Sequence, residues 1–181
     1  MSTNTSSKTK KLAFSAMAIA LATVTSYLKI IEMPMGGSVT LFSMMFIALI
    51  GYWFGPKYGI ITGVAYGLLQ FAIEPYIVSI PQVLIDYPLA FGALGLSGFF
   101  HNKKFGLYTG YIASVLGRYF FAFLSGYIFF GMYAPEGWNP VLYSLAYNGA
   151  YLGAEAAITL CLLAVPPVAK ALGRVKVMST N

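Results

Sequence analysis

Charge is the first thing this chain lacks. Only 9% of its 181 residues are Asp, Glu, Lys or Arg, against about a quarter in a soluble globular domain. So few charges cannot cover a water-facing surface, and the mean hydropathy of +0.75 points the same way. The one cysteine, Cys161, excludes an internal disulfide framework. The one histidine, His101, has no Cys/His cluster around it, so no metal site and no cofactor are expected. There is no Gly-x-x-x-x-Gly-Lys-Ser/Thr loop for nucleotide hydrolysis, no nucleophile elbow and no His-Glu-x-x-His helix. The chain is therefore not expected to be an enzyme. No Gly/Ser linker or long polar block divides it, and its halves do not repeat convincingly. One domain over 1–181 is expected, with short polar termini at about 1–10 and 173–181.

What is present is apolar length. Crossing a bilayer takes about 20 apolar residues. Six segments qualify as candidates, at about 12–28, 39–54, 58–73, 82–100, 106–133 and 141–172, the last two overlong. No segment alternates with period two over a strand length, so no β-barrel is expected. The start combines Lys8, Lys10 and Lys11 with an alanine-rich run, as a signal peptide would. Five more apolar segments follow, and an uncleaved first span is the expectation. The fold class is thus an all-α integral membrane protein, a single bundle of six transmembrane helices in the lipid bilayer.

Basic residues give the orientation. In a soluble protein a net charge of +6 would suggest nucleic acid. Here Lys8, Lys10, Lys11, Lys57, Lys103, Lys104, Lys170, Arg174 and Lys176 all fall at the termini or in the second and fourth loops of a six-span chain. That pattern is topology, with both termini cytoplasmic and no nucleic-acid role. Glu32, Glu74 and Glu136 fall in outer loops, and Asp86 and Glu155 fall in spans near the outer half. Either the acids are scattered by chance, or an outward-facing site of negative potential favours a cation.

Three ionisable residues sit within spans, Asp86, Arg118 and Glu155. Such groups are costly in lipid and face an interior or a water-filled cavity. Two acids and one base cannot all pair, so one acid needs a further partner, a cationic ligand or a proton. Pro75, Pro81 and Pro88 interrupt helix between Glu74 and Pro88. Irregular backbone at that depth is tolerated where it is buried or lines a cavity. Asn148, Tyr151 and Glu155, at i, i+3 and i+7, share one face of the last helix, with Tyr143 and Tyr147 near its outer end. The wall they form is either an interhelical hydrogen-bonding stripe or part of a site. Gly59, Gly63 and Gly67 make a small-residue face that reads as helix packing. Ala16/Ala20 and Ala18/Ala22 are two small-xxx-small pairs on the first span, suited to packing inside the protein or against a partner subunit.

At these residues the sequence resembles a known family, the thiamine-specific substrate-binding (S) component of energy-coupling factor (ECF) transporters. The matching stretches are Met-Pro-Met-Gly-Gly-Ser-Val-Thr-Leu from Met33, Leu-Ile-Asp-Tyr from Leu84, residues 117–134, and Tyr-Ser-Leu-Ala-Tyr-Asn from Tyr143. They spread over nearly the whole chain in order. The resemblance implies a high-affinity thiamine-binding subunit in a bacterial plasma membrane. It also implies a transmembrane coupling protein and two ATP-binding subunits as partners, reached through the small residues of the first helix. By position it assigns the pocket to Tyr76, Asp86, Tyr87, Arg118, Phe130, Tyr143 and Asn148, and Tyr151 and Glu155 join them from the stripe above. Asp86 stands where some members have Glu, Phe130 where some have Trp, and Ala122 where some have His. The outer-loop acid that faces the thiazolium in some members has no clear match, and Glu32 and Glu155 are its candidate replacements. The alternatives are an S component for another vitamin or a thiamine precursor, a stand-alone proton-coupled carrier using Asp86 and Glu155, and an assembly subunit without a ligand.

Overall fold

The computed structural model describes residues 2–180, apart from the side chains of residues 2–6, 35 and 180. Met1 and Asn181, the outermost residues of the two expected polar termini, lie outside the described residues. The chain is predominantly helical. Helix α1 (Ser2–Ser26) leads into a hairpin of β1 (Lys29–Glu32) and β2 (Ser38–Thr40). Then come α2 (Ser43–Phe54), α3 (Pro56–Ile73), α4 (Ile80–Phe100), α5 (Gly106–Phe130), α6 (Pro140–Ala164) and α7 (Pro166–Thr180).

That makes seven long helices among the described residues where six were expected. The final apolar stretch, expected as one segment over 141–172, breaks at Val165–Pro166–Pro167, and α6 and α7 meet at 86°. Two consecutive prolines cannot continue a helical hydrogen-bond ladder, so the turn falls there. The first helix runs further back than expected, and residues 2–10 are helical rather than a separate tail. The second segment is also different. Only its Ser43–Phe54 part is helix, and residues 38–40 pair with 29–32 instead. Among the described residues, Ile80–Phe100 and Gly106–Tyr133 are by length and composition long and apolar enough to cross a membrane. The bent α6–α7 pair passes only when taken together.

Glycine sets how α3 meets α4. A Cβ at Gly63 or Gly67 would run into the carbonyl oxygens of Phe91 and Tyr87, and one at Gly59 would lie 2.6 Å from Gly51 Cα. The three bare positions let α4 lie directly on α3. Helix α4 is itself irregular. Residues Ile85–Leu89 form a π-turn around Pro88, with the Ala90 N–H reaching back to the Ile85 carbonyl. Pro88 has no N–H to give, so the wider turn leaves no donor stranded. Ala93–Phe100 then winds as 3₁₀ helix. Beneath, Met44, Ile47, Tyr66, Leu94, Leu152 and Leu163 fill the core.

The two ends of the bundle differ in charge. Lys11 lies over the Tyr58 ring, and Lys176 over the Tyr52 ring while donating to the His101 carbonyl. These contacts gather the start of α1, the α2–α3 and α4–α5 turns and α7 at one end. The acids and the hairpin lie toward the other.

Candidate ligand cavity at the acidic end

Helix α2 has only 12 residues, about 18 Å at 1.5 Å per residue. It starts just after β2 ends, and there is open space beside its first residue, Ser43. A cavity of about 430 Å³ occupies that space, walled by the hairpin, the ends of α3 and α5, the first turns of α4 and residues 143–155 of α6.

All nine residues singled out from the sequence line this one cavity: Tyr76, Asp86, Tyr87, Arg118, Phe130, Tyr143, Asn148, Tyr151 and Glu155. The π-turn helps, because its wide winding brings both Asp86 and Tyr87 to the wall. The two acids have different surroundings. Glu155 is buried, and its carboxylate accepts from Thr40 Oγ1 at 2.7 Å, Ser43 Oγ at 3.1 Å and the Met44 N–H at 3.1 Å. It therefore ties α6 to the end of the hairpin and caps α2 from outside, where the N-cap residue Phe42 supplies no side-chain bond. Asp86 accepts from Gln82 Nε2 at 2.6 Å through Oδ2. The buried Ser125 hydroxyl lies beside it without a well-formed protein hydrogen bond. Arg118 pairs with neither acid among the described residues. It sits over the Phe91 ring, 4.1 Å from the centroid.

Aromatic rings make up much of the remaining wall. Tyr76 and Phe130 lie 5.7 Å apart, Tyr143 and Tyr147 5.9 Å, and Tyr147 and Tyr151 5.8 Å. Faces of such rings attract cations, most strongly away from water. Tyr151 donates to Asn148 Oδ1 at 3.0 Å, while Asn148 Nδ2 donates to the Ser144 carbonyl at 2.9 Å, so the amide is held in one orientation. The Tyr87 hydroxyl donates to the Glu74 carbonyl at 2.9 Å and accepts from the Tyr76 N–H at 3.0 Å. It holds the loop that carries Tyr76.

The mouth is charged. Lys29 bridges Glu32 at 2.9 Å and Glu74 at 3.3 Å, linking β1 to the α3–α4 loop. These carboxylates, Glu32 first, hold the Lys29 ammonium above its ordinary pKa against partial desolvation. Glu32 is not among the lining residues. The lining formally carries two cations, Lys29 and Arg118, against three carboxylates, Glu74, Asp86 and Glu155.

Several lining residues escaped the sequence reading. Gln82 stands four residues before Asp86, a helical spacing at which amide and carboxylate meet. Tyr147, noted beside the stripe but not assigned to the pocket, forms a ladder at four-residue spacing with Tyr143 and Tyr151. Gly37 donates its N–H to Tyr147 at 2.9 Å, and a Cβ there would lie 2.6 Å from that hydroxyl. Nothing in the local sequence signals that contact, which spans 110 positions.

Comparison with known proteins covers most of the chain. The family model described as "Thiamine transporter protein (Thia_YuaJ)" matches residues 12–173. The chain belongs to the thiamine transporter protein family. Within that family it is similar to the thiamine transporter ThiT of Bacillus subtilis (strain 168), 39% identical over 150 residues, 74% of this chain and 78% of the relative. It is 31% identical to the ThiT of Lacticaseibacillus paracasei over 97 residues, 46% and 48% of the two chains. A solved ThiT structure from Listeria monocytogenes superposes with a TM-score of 0.70 at 27% identity, covering 87% of this chain and 94% of that one.

The four stripe-forming alanines of α1 divide. Ala18 and Ala22 are buried, at 5% and 0% exposure, with the Tyr66 hydroxyl donating to the Ala22 carbonyl. Ala16 and Ala20 are exposed, beside Met17, Leu21 and Val24.

Proposed function

We propose that the cavity captures thiamine from outside the cell and that the chain carries out no chemistry on it. One observation carries this reading: a cavity lined by aromatic rings, with the buried Glu155 and the half-buried Asp86 in its wall, holds one more formal negative charge than positive. Thiamine has a permanently cationic thiazolium, an aminopyrimidine and a hydroxyethyl arm. The Tyr76, Phe130, Tyr143, Tyr147 and Tyr151 rings suit the cation. Asp86 can accept from the aminopyrimidine, Asn148 can complement its edge, and Ser125 and Arg118 can meet the remaining polar atoms. Glu155, with its oxygens engaged by Thr40, Ser43 and Met44, contributes charge rather than a direct bond. The named function of the relatives, thiamine transport, supports the ligand class.

The wider reading follows the resemblance to S components. Helices α1 to α6 are the six spans of a single domain in a bacterial plasma membrane. The lysine-rich end and both termini are cytoplasmic, and α7 lies across that end. A membrane-embedded coupling protein and two ATPases drive uptake, meeting the exposed Ala16/Ala20 face. The buried Ala18 and Ala22 are left to internal packing.

Uptake of labelled thiamine, in cells lacking their own thiamine import, tests this. Transport should need both this chain and the coupling module with its ATPases. Ala16→Leu with Ala20→Leu should abolish uptake and leave thiamine binding by the purified protein intact. Uptake by this chain alone that collapses with the pH gradient would contradict the reading and favour a proton-coupled carrier.

A further inference from the structure

Gln82 is 1% exposed, and its side-chain amide is fully engaged. Oε1 accepts the Val78 N–H at 2.9 Å, while Nε2 donates to Asp86 Oδ2 at 2.6 Å and to the Tyr76 carbonyl at 3.2 Å. Its own N–H is taken by Ser79 Oγ at 3.2 Å. The backbone N–H of Val78 demands an acceptor, so the network fixes which end of the amide is oxygen. Nε2 must then face the carboxylate. One side chain thus binds one oxygen of Asp86 and leaves Oδ1 for another donor. The same side chain fastens the segment carrying Tyr76, whose ring lies 5.7 Å from Phe130.

We infer that Gln82 is a positioning residue for ligand capture: it sets which Asp86 oxygen faces the ligand and holds Tyr76 against Phe130. The inference rests on the thiamine reading above. It has a chemical signature that a merely structural glutamine lacks. Glutamate at 82 would keep the size and the acceptor for Val78 but lose the donor. When protonated it can still donate to Asp86. When ionised it places two carboxylates about 2.6 Å apart, as Gln82 Nε2 and Asp86 Oδ2 are now, and one of such a pair resists ionisation until higher pH. The other groups around Asp86 are Arg118 on α5, Tyr151 on α6 and Tyr87 on its own turn. Arginine and tyrosine side chains do not ordinarily change charge between about pH 5.5 and 8.

The experiment is a thiamine titration of purified wild type, Gln82→Glu and Gln82→Met from pH 5.5 to 8. The affinity of Gln82→Glu relative to wild type should change by about tenfold or more across this range. Ligand that contacts Asp86 must alter how tightly the two carboxylates share their proton, and about a tenfold difference in proton affinity between complex and free protein changes ligand affinity by about a factor of ten. Gln82→Met keeps the volume without the polar atoms, and should bind about tenfold more weakly at every pH. A Gln82→Glu ratio constant with pH, or Gln82→Met binding as tightly as wild type, overturns the inference while leaving the thiamine site standing. Wild type that binds no thiamine overturns both.

Discussion

Asp86 and Glu155 are both carboxylates within apolar helices, and their neighbours give them different tasks. Asp86 has one oxygen bound by Gln82 and the other toward the cavity. Replacing it with alanine should cost about 1.5–3 kcal/mol of thiamine binding, the range for hydrogen bonds to charged groups. Calorimetry would then show Kd raised roughly ten- to a hundredfold or more. Glu155→Ala instead removes the shared acceptor of Thr40, Ser43 and Met44 N–H. Leaving buried donors unpaired should lower stability by at least about 2 kcal/mol. Faster amide exchange at residues 38–44 is the accompanying readout; an unchanged melt and unchanged exchange would remove Glu155 from this anchoring role. At the mouth, Lys29 is partly solvated, and such ion pairs are worth about 0–1 kcal/mol. Lys29→Ala should leave the melting temperature nearly unmoved yet speed association of cationic thiamine, with a difference that shrinks as salt rises. At this scale the sequence was informative wherever the residue type was itself unusual. An acid or an arginine in an apolar run stands out; Gln82 and Gly37 do not, because their roles come from partners brought in by the fold.

At the scale of elements, the α3–α4 contact decides whether the cavity has its wall. Gly67 faces the carbonyl of Tyr87, one residue after Asp86. Gly67→Val should cost about 1–3 kcal/mol through overpacking and should weaken thiamine binding as well, because the π-turn must shift. A variant that melts lower but binds normally would separate the helix contact from the site. The four-residue glycine spacing made a close helix contact legible in advance, but not that α4 is the partner. The hairpin was not legible. Its paired stretches are four and three residues long, too short for alternation to register, and its register depends on a bulge between Lys29 and Ile31. The bend between α6 and α7 could have been read from Pro166–Pro167, but continuous apolar character masked it.

For the whole molecule, the separation of basic and acidic ends is the feature most plainly written in the sequence, because orientation rules act on loop charges and not on packing. It predicts a labelling pattern. With Cys161→Ser as background, Glu136→Cys should react with a membrane-impermeant maleimide on intact cells, and Lys104→Cys only after permeabilisation. The reverse pattern would turn the cavity inward and contradict capture from outside.

The most direct test of that capture is calorimetric titration of thiamine into the detergent-purified wild-type chain, with the isolated, uncharged aminopyrimidine as comparator. The account predicts saturable one-to-one binding of thiamine and much weaker binding of the fragment that lacks the thiazolium. No saturable heat at about 100 μM thiamine, where even a complex of roughly −5 to −6 kcal/mol registers, would contradict it.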